Sequence, residues 1–256
     1  MAWYEGGFGT AAGTLKSILD DKLPLNTKWH IEDPNAGTNV GVYHNYDASN
    51  YVDYIVVVRD NQANYTSLEL WEAWDSGAHV GVGKSLVSAT GYVIRKAAGN
   101  YGLSVLDHRI IFVTLGAKYA YYVGQPRRFD TKKNMPLMIC HSSSSTNNPL
   151  GYNPDDSGIE WRCLLDHDGV SRTIRPYHHV NATIVESGIR SKNDRVWIVE
   201  TLVFENSNKW ALGVLEGAMH CRFLRNMVDG DTATVDGTVW LVVFSGSYGA
   251  CLVRKN

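Results

Sequence analysis

The densest group of side chains able to do chemistry is Glu69-Leu-Trp-Glu72-Ala-Trp-Asp75, three carboxylates interleaved with two tryptophans. Paired carboxylates beside aromatic rings suit glycoside cleavage, in which one acid is held protonated and the other ionised about 5 to 9 Å away. On a strand, however, Glu69 and Glu72 point to opposite faces because their offset is odd. The preceding Tyr65-Thr-Ser-Leu favours extended structure. A solvated strand edge with Trp71 or Trp74 in the core is therefore the expectation, and glycoside hydrolysis ranks third among the functions considered.

The other candidates are weaker in kind. Asp166-His-Asp-Gly169 has the look of a metal loop, but an EF-hand-type site needs further oxygen ligands in register, and Val170, Ser171 and Arg172 do not supply them. Asp168-Gly169 is a hairpin-turn pair, which is enough to account for it. His178 and His179 are adjacent before a strand, so their rings face opposite ways and cannot share a metal without a bend. Cys140, Cys163, Cys221 and Cys251 form no CxxC pair, which removes the usual zinc spacing and leaves small buried thiols as the reading. Nucleophile-elbow, P-loop, dinucleotide and HExxH patterns are all missing from the sequence. Arg127, Arg128, Lys132 and Lys133 form a basic loop that could touch an acidic partner, although Phe129, Asp130 and a net charge of -2 favour a solvated turn. The expectation is no catalytic, cofactor-binding or metal-binding residues.

The elements that must position these groups are almost all strands. Tyr101 to Arg128 reads as three short strands in succession, each closed by a turn. Upstream, Thr27–Ile31, Val40–Tyr46, Val52–Arg59 and Tyr65–Trp74 are strand candidates, and the IVVV of the third is expected to be buried on both faces. Gly77 to Gly83 reads as a Gly-rich turn region, followed by a strand at Gly91–Arg95. The one convincing helix runs from Thr10 to Leu23, with Thr10 or Thr14 as cap, Leu15, Ile18 and Leu19 as its apolar stripe, and Pro24 as its stop. The residues before it form an aromatic arm that either folds back on its own domain or docks on a neighbour.

Residues 129–158 change texture to a long polar stretch around Leu137–Cys140. The expected division is an N-terminal arm, helix and β lobe over 1–128, a linker or excursion over 129–158, and a C-terminal β lobe over 159–256, with one continuous domain as the alternative. In the last part Ile159–Asp166, Val180–Val185, Val196–Glu205 and Ala211–Phe223 are strand candidates, the fourth also fitting helical spacing. Asp229-Gly230 and Asp236-Gly237 mark turns before two closing strands, Val239–Phe244 and Ala250–Arg254. The fold class expected is mainly β: antiparallel sandwich or barrel-like lobes with one short N-terminal helix.

Composition narrows the function classes. Charged residues are 20% of the 256, below the usual quarter, and Tyr, Asn, Ser, Thr and Gly replace them to give a polar but uncharged surface. Such surfaces suit a protein covered by neighbours, because burying a charge is expensive and burying a hydroxyl with a partner is not. Nothing electrostatic points to nucleic acid or anionic membrane. The N-terminus lacks the features of a secretory signal, and no apolar run reaches the roughly 20 residues of a membrane span.

Three segments together, AWYEGGFGTAAGTLKSILDDKLP, KYAYYVGQPRR and DGTVWLVVFSGSYGACLVRKN, resemble in texture and order the virion structural proteins of tailed bacteriophages that build the tail, neck or baseplate. The resemblance implies a non-enzymatic β-rich subunit, repeated in a ring or tube through its aromatic arm and loops. It implies partners that are copies of itself and other virion proteins, and a location in the virion after assembly in the host cytoplasm. It implies no catalytic residues. The alternative is a carbohydrate-binding β-sandwich that contacts a host receptor, with the abundant tryptophans as stacking platforms for a glycan.

Overall fold

The computed structural model describes residues 1–46, 53–87, 91–128, 136–142, 149–150, 159–164, 172–177, 189–190, 197–205, 211–221, 228–235, 237–246 and 249–256. Candidates at 166–169, 178–179 and 132–133 fall outside them, as do the side chains of Arg128, Cys163 and Cys221. The described residues are mainly β with one short α-helix, as expected: a curled antiparallel half-barrel sheet and a second, smaller sheet.

The larger sheet is built from β1 (Ala2–Phe8), β2 (Trp29–Ile31), β3 (Val40–Asn45), β4 (Tyr54–Arg59), β5 (Tyr65–Asp75), β6 (Val80–Leu86), β7 (Tyr92–Arg95), β8 (Gly99–Leu106), β9 (Arg109–Thr114) and β10 (Tyr119–Gly124). After the two-residue β11 (Arg127–Arg128), β12 (Leu137–Ser142) and β13 (Ile159–Cys163) return to it. Its order is β2-β3-β4-β5-β7-β12-β10-β9-β8-β1. Two strands divide an edge between neighbours: β5 meets β7 along Tyr65–Leu68 and β6 along Leu70–Asp75, and β12 meets β10 and then β7.

The smaller sheet holds β14 (Arg172–Tyr177), β15 (Ile189–Arg190), β16 (Trp197–Glu205), β17 (Ala211–Cys221), β18 (Thr232–Val235), β19 (Thr238–Gly246) and β20 (Gly249–Arg254). Its order is β14-β16-β17-β20-β19-β18, with β15 also on β16 and β11 on β17. The segment with mixed helix and strand signals is thus a strand, β17, because it is laddered to β16 and to β11 and β20.

The alternation of side chains along β9 and β10 creates two cores from the same strands. On the concave side Ile110, Phe112, Tyr121 and Val123 pack with Val56, Val58, Leu68 and Leu70, and the helix closes this space with Leu15, Leu19 and Leu23. On the other side Ile111, Val113, Ala120 and Tyr122 meet Leu215, Leu241, Val243 and Val253 of the smaller sheet. The IIFV of β9 is accordingly buried on both faces, as is the IVVV of β4, whose Ile55 and Val57 pack with Val40 and Val42, and each such Val, Ile or Phe contributes about 1.5–3 kcal/mol by leaving water.

The helix, α1 (Thr14–Lys22), runs into a 3-10 turn at Leu23–Leu25 that contains Pro24. Its cap differs from the expectation. The N-cap is Gly13 at φ 80 with no side-chain cap bond, and the Thr14 hydroxyl donates to Ala11 O. The orphan N–H groups go instead to Asp60, whose Oδ2 accepts from Leu15 N at 2.7 Å and Lys16 N at 3.1 Å.

The aromatic arm folds back on its own domain. It is β1, antiparallel to β8 from Ala2↔Val105 to Phe8↔Gly99. Trp3 lies across Gly102, where a Cβ would come within 2.4 Å of its ring. Phe8 reaches the concave core and meets Phe112 edge-on at 5.2 Å. Rings from one strand thus cover glycines of the next, and this fixes the register.

Candidate functional site

The carboxylate-tryptophan segment forms most of β5, and its hairpin partner is β6. The Gly77–Gly83 region is therefore a four-residue loop, Ser76–His79, followed by a strand rather than a long turn. Glu69 accepts from Arg59 Nε on β4 at 2.5 Å and from the indole N–H of Trp71 at 2.9 Å. Glu72 accepts from Lys84 N at 2.8 Å. Asp75 Oδ1 caps the loop by accepting from Gly77 N at 2.9 Å and Ala78 N at 3.0 Å. Each of the three acids has its own structural task, and no bond joins one to another.

The Glu72 contact marks a bulge. Trp71 faces Ser85 and Ala73 faces Val82, so Gly83 and Lys84 together oppose Glu72. Gly83 sits at φ 80, which is the glycine conformation of this bulge type. Trp74 lies with Trp71 on the outer face, both packed against Val40, Val42, Ile55 and Val57. Gly81 is needed here, since a Cβ on it would come within 2.0 Å of the Trp71 ring.

The loop is held from a distance. Asp33, 2% exposed, accepts from Trp74 Nε1 at 2.9 Å, from Asn35 N at 2.9 Å and bonds His79 Nδ1 at 2.6 Å. Burial alone would push the Asp33 carboxyl up, but the His79, Trp74 and Asn35 donors outweigh it and hold the group below its ordinary range. A depressed carboxyl stabilises the fold above its unfolded value of about 4 and loses that contribution as pH falls through the folded value. The Nδ1 contact leaves His79 Nε2 to solvent on a half-exposed ring.

His79 is also a left-handed residue, at φ 55, and its only non-glycine counterpart among the described residues is Lys118 at φ 61. Both end four-residue hairpin loops of the same form, Ser76-Gly-Ala-His79 and Leu115-Gly-Ala-Lys118. Both reach an aspartate elsewhere, since Lys118 Nζ lies 2.5 Å from Asp229. A side chain at such a position costs about 1–2 kcal/mol relative to a relaxed backbone. At Lys118, 54% exposed, the ion pair is worth at most about 1 kcal/mol. Lys118→Gly should thus change stability by less than about 0.5 kcal/mol, since relief of strain is offset by the freer unfolded chain. His79→Gly should cost about 1–2 kcal/mol, because it takes a donor from a buried carboxylate. Urea midpoints of the two variants check this, and equal effects would show that Asp33 does not depend on the imidazole.

No protein-family model matches this chain, and no curated protein matches it. Its site is therefore read from geometry alone.

Elsewhere, Cys140 and Cys251 are buried thiols, and burial pushes Cys251 up to about 12, which keeps it protonated. Arg127 is exposed on β11. Among the described residues no group of three metal-ligating side chains converges. Two charged clusters escaped sequence reasoning. In one, Lys96 and Asp60 form an ion pair with both side chains fully buried. In the other, Arg109 is fully buried where the two sheets meet, with His108 Nε2 3.3 Å from Glu216 nearby. His108 and Arg109, together with Arg127, hold Glu216 below its ordinary range, the His108 contact most strongly. No spacing in the sequence announces either cluster, since their members lie 36 and more than 100 residues apart.

The β5–β6 hairpin also exposes apolar side chains. Val80 and Val82 of β6 are 50% and 46% exposed, and Val87 just beyond is exposed as well. The Gly81 side faces Trp71, so the alternating Val80 and Val82 point to the opposite face, with Ala73 across from Val82. The hairpin thus carries half-buried indoles on one face and exposed valines on the other.

Proposed function

We propose that this chain is a non-enzymatic structural subunit that works by assembling with copies of itself. Following the sequence resemblance, we propose that the assembly belongs to a tailed-phage virion, in its tail, neck or baseplate. The observation that carries the assembly reading is the exposed Val80–Val82 edge of a hairpin whose loop is locked by Asp33. Open apolar strands of this kind are a hazard for a monomer and an asset for a subunit. The arm does not need to dangle for this, since it is already paired as β1.

Native mass spectrometry of the full chain should give a defined oligomer at about 50 μM, a concentration at which a micromolar contact is largely occupied. A strict monomer would overturn the assembly. Genes for sheath, tube or capsid proteins beside its own are the expected context, and a metabolic operon would overturn the virion assignment. The glycan alternative keeps one point of support, the two half-buried indoles of Trp71 and Trp74 held in orientation by Glu69 and Asp33.

A further inference from the structure

We infer that β6 pairs edge to edge with β6 of a second copy of this chain, antiparallel, with Gly81 on the two-fold axis. This rests on the proposed assembly and specifies the edge that performs it. Among the described residues β6 is laddered only to β5, so its other edge is open. The bulge at Gly83–Lys84 bends the strand and ends any outward ladder, which leaves Val80, Gly81 and Val82 as the segment able to pair.

That segment is self-complementary in one antiparallel register. With Gly81 opposite the partner's Gly81, Val80 falls opposite the partner's Val82 and the reverse, as an isologous contact requires. The four valines, each about half exposed in one copy, then cover one another on the face away from Trp71. On the Trp71 side the two glycines leave the indoles of both copies room beside the axis. Beyond these three residues the antiparallel arrangement sets the Lys84 end of each strand beside the partner's loop, where Asp75 holds Ala78 N, so an exposed cation faces an exposed carboxylate at both ends of the contact. Three residues of ladder make a reversible contact, and the bulge keeps it from extending into open-ended aggregation.

Two measurements test this on the full chain. Sedimentation velocity should show a concentration-dependent dimer that Val82→Asp weakens by about tenfold or more, because each copy would place one carboxylate, two in the dimer, in the apolar contact. Disulfide trapping tests the register. Directly opposed residues lie about 5 Å apart at Cα, whereas Val80 to the partner's Val80 would be about 8 Å, beyond disulfide reach. An equimolar mixture of Val80→Cys and Val82→Cys chains should therefore give the linked 80–82 peptide, read by mass spectrometry, at several times the yield of either homotypic link. A predominance of 80–80 or 82–82 links would overturn the register. An oligomer unaffected by Val82→Asp would overturn this edge and leave the assembly reading standing. A monomer at every concentration would overturn both.

Discussion

Asp60→Ala should cost about 4–5 kcal/mol, a large share of the roughly 5–15 kcal/mol that a domain has in total. The carboxylate performs four tasks at once while fully buried. It accepts from Leu15 N and Lys16 N at the start of α1, from Thr66 Oγ1 at 2.7 Å, and pairs with Lys96 Nζ. Removing the helix contacts alone would cost about 1 kcal/mol, the ordinary value of a cap. The larger part comes from Lys96, whose ammonium would stay buried with only Ala11 O and Gln62 O as partners. Breaking a buried pair by deleting one member typically costs about 3–5 kcal/mol, whereas replacing both members by apolar groups is often near neutral. The double variant Asp60→Ala, Lys96→Met should therefore recover most of the loss in a urea titration. If the double variant is as unstable as Asp60→Ala alone, the stranded lysine is not the cause.

Asp60 also shows where the sequence stops informing. The Tyr101–Arg128 meander was legible because its strands are adjacent in the chain and its turns, at Asp107-His108 and Leu115–Lys118, are local. The double burial of β4 was legible from an unbroken apolar run. The helix was legible too, but its cap was not, because the capping group comes from 45 residues away while two nearby threonines offered themselves. The same limit applies to the hairpin. Val-Gly-Val-Gly reads as turn chemistry, since glycine is the common punctuation of turns; Gly81 is there to seat Trp71 and Gly83 to make a bulge. The opposed roles of Glu69 and Glu72 followed from strand parity. That Asp33, some 40 residues earlier, would gather Trp74 and His79 did not follow from any local pattern.

Arg109→Met should stabilise the protein, by about 1–3 kcal/mol. Arg109 is a fully buried cation like Lys96, but its surroundings are the reverse. Its Nη1 donates to Ser104 O at 3.2 Å and Ser104 Oγ at 3.0 Å, its Nη2 lies 3.9 Å from Met1 Sδ, and Nε has no partner. No carboxylate within the described residues forms an ion pair with it. Burial pushes the guanidinium down to about 10, against the opposing pull of Tyr122 and Glu216. That fall corresponds to about 3 kcal/mol of disfavour for the charged form in the folded state. For a base with a lowered folded pKa, the penalty is complete below that pKa and fades only as pH rises towards the unfolded value. Methionine fills much of the same space, leaves the Ser104 hydroxyl short of one bond worth about 1 kcal/mol, and removes the penalty. The gain should be constant between pH 6 and 9, where the guanidinium is charged in both states, and guanidinium chloride midpoints at three pH values would show it. A loss of stability instead would mean that Glu216 and the neutral donors already compensate the charge. A gain would mark Arg109 as a group kept at the meeting of the two sheets at a cost to stability, and so as a place where something other than folding has set the residue.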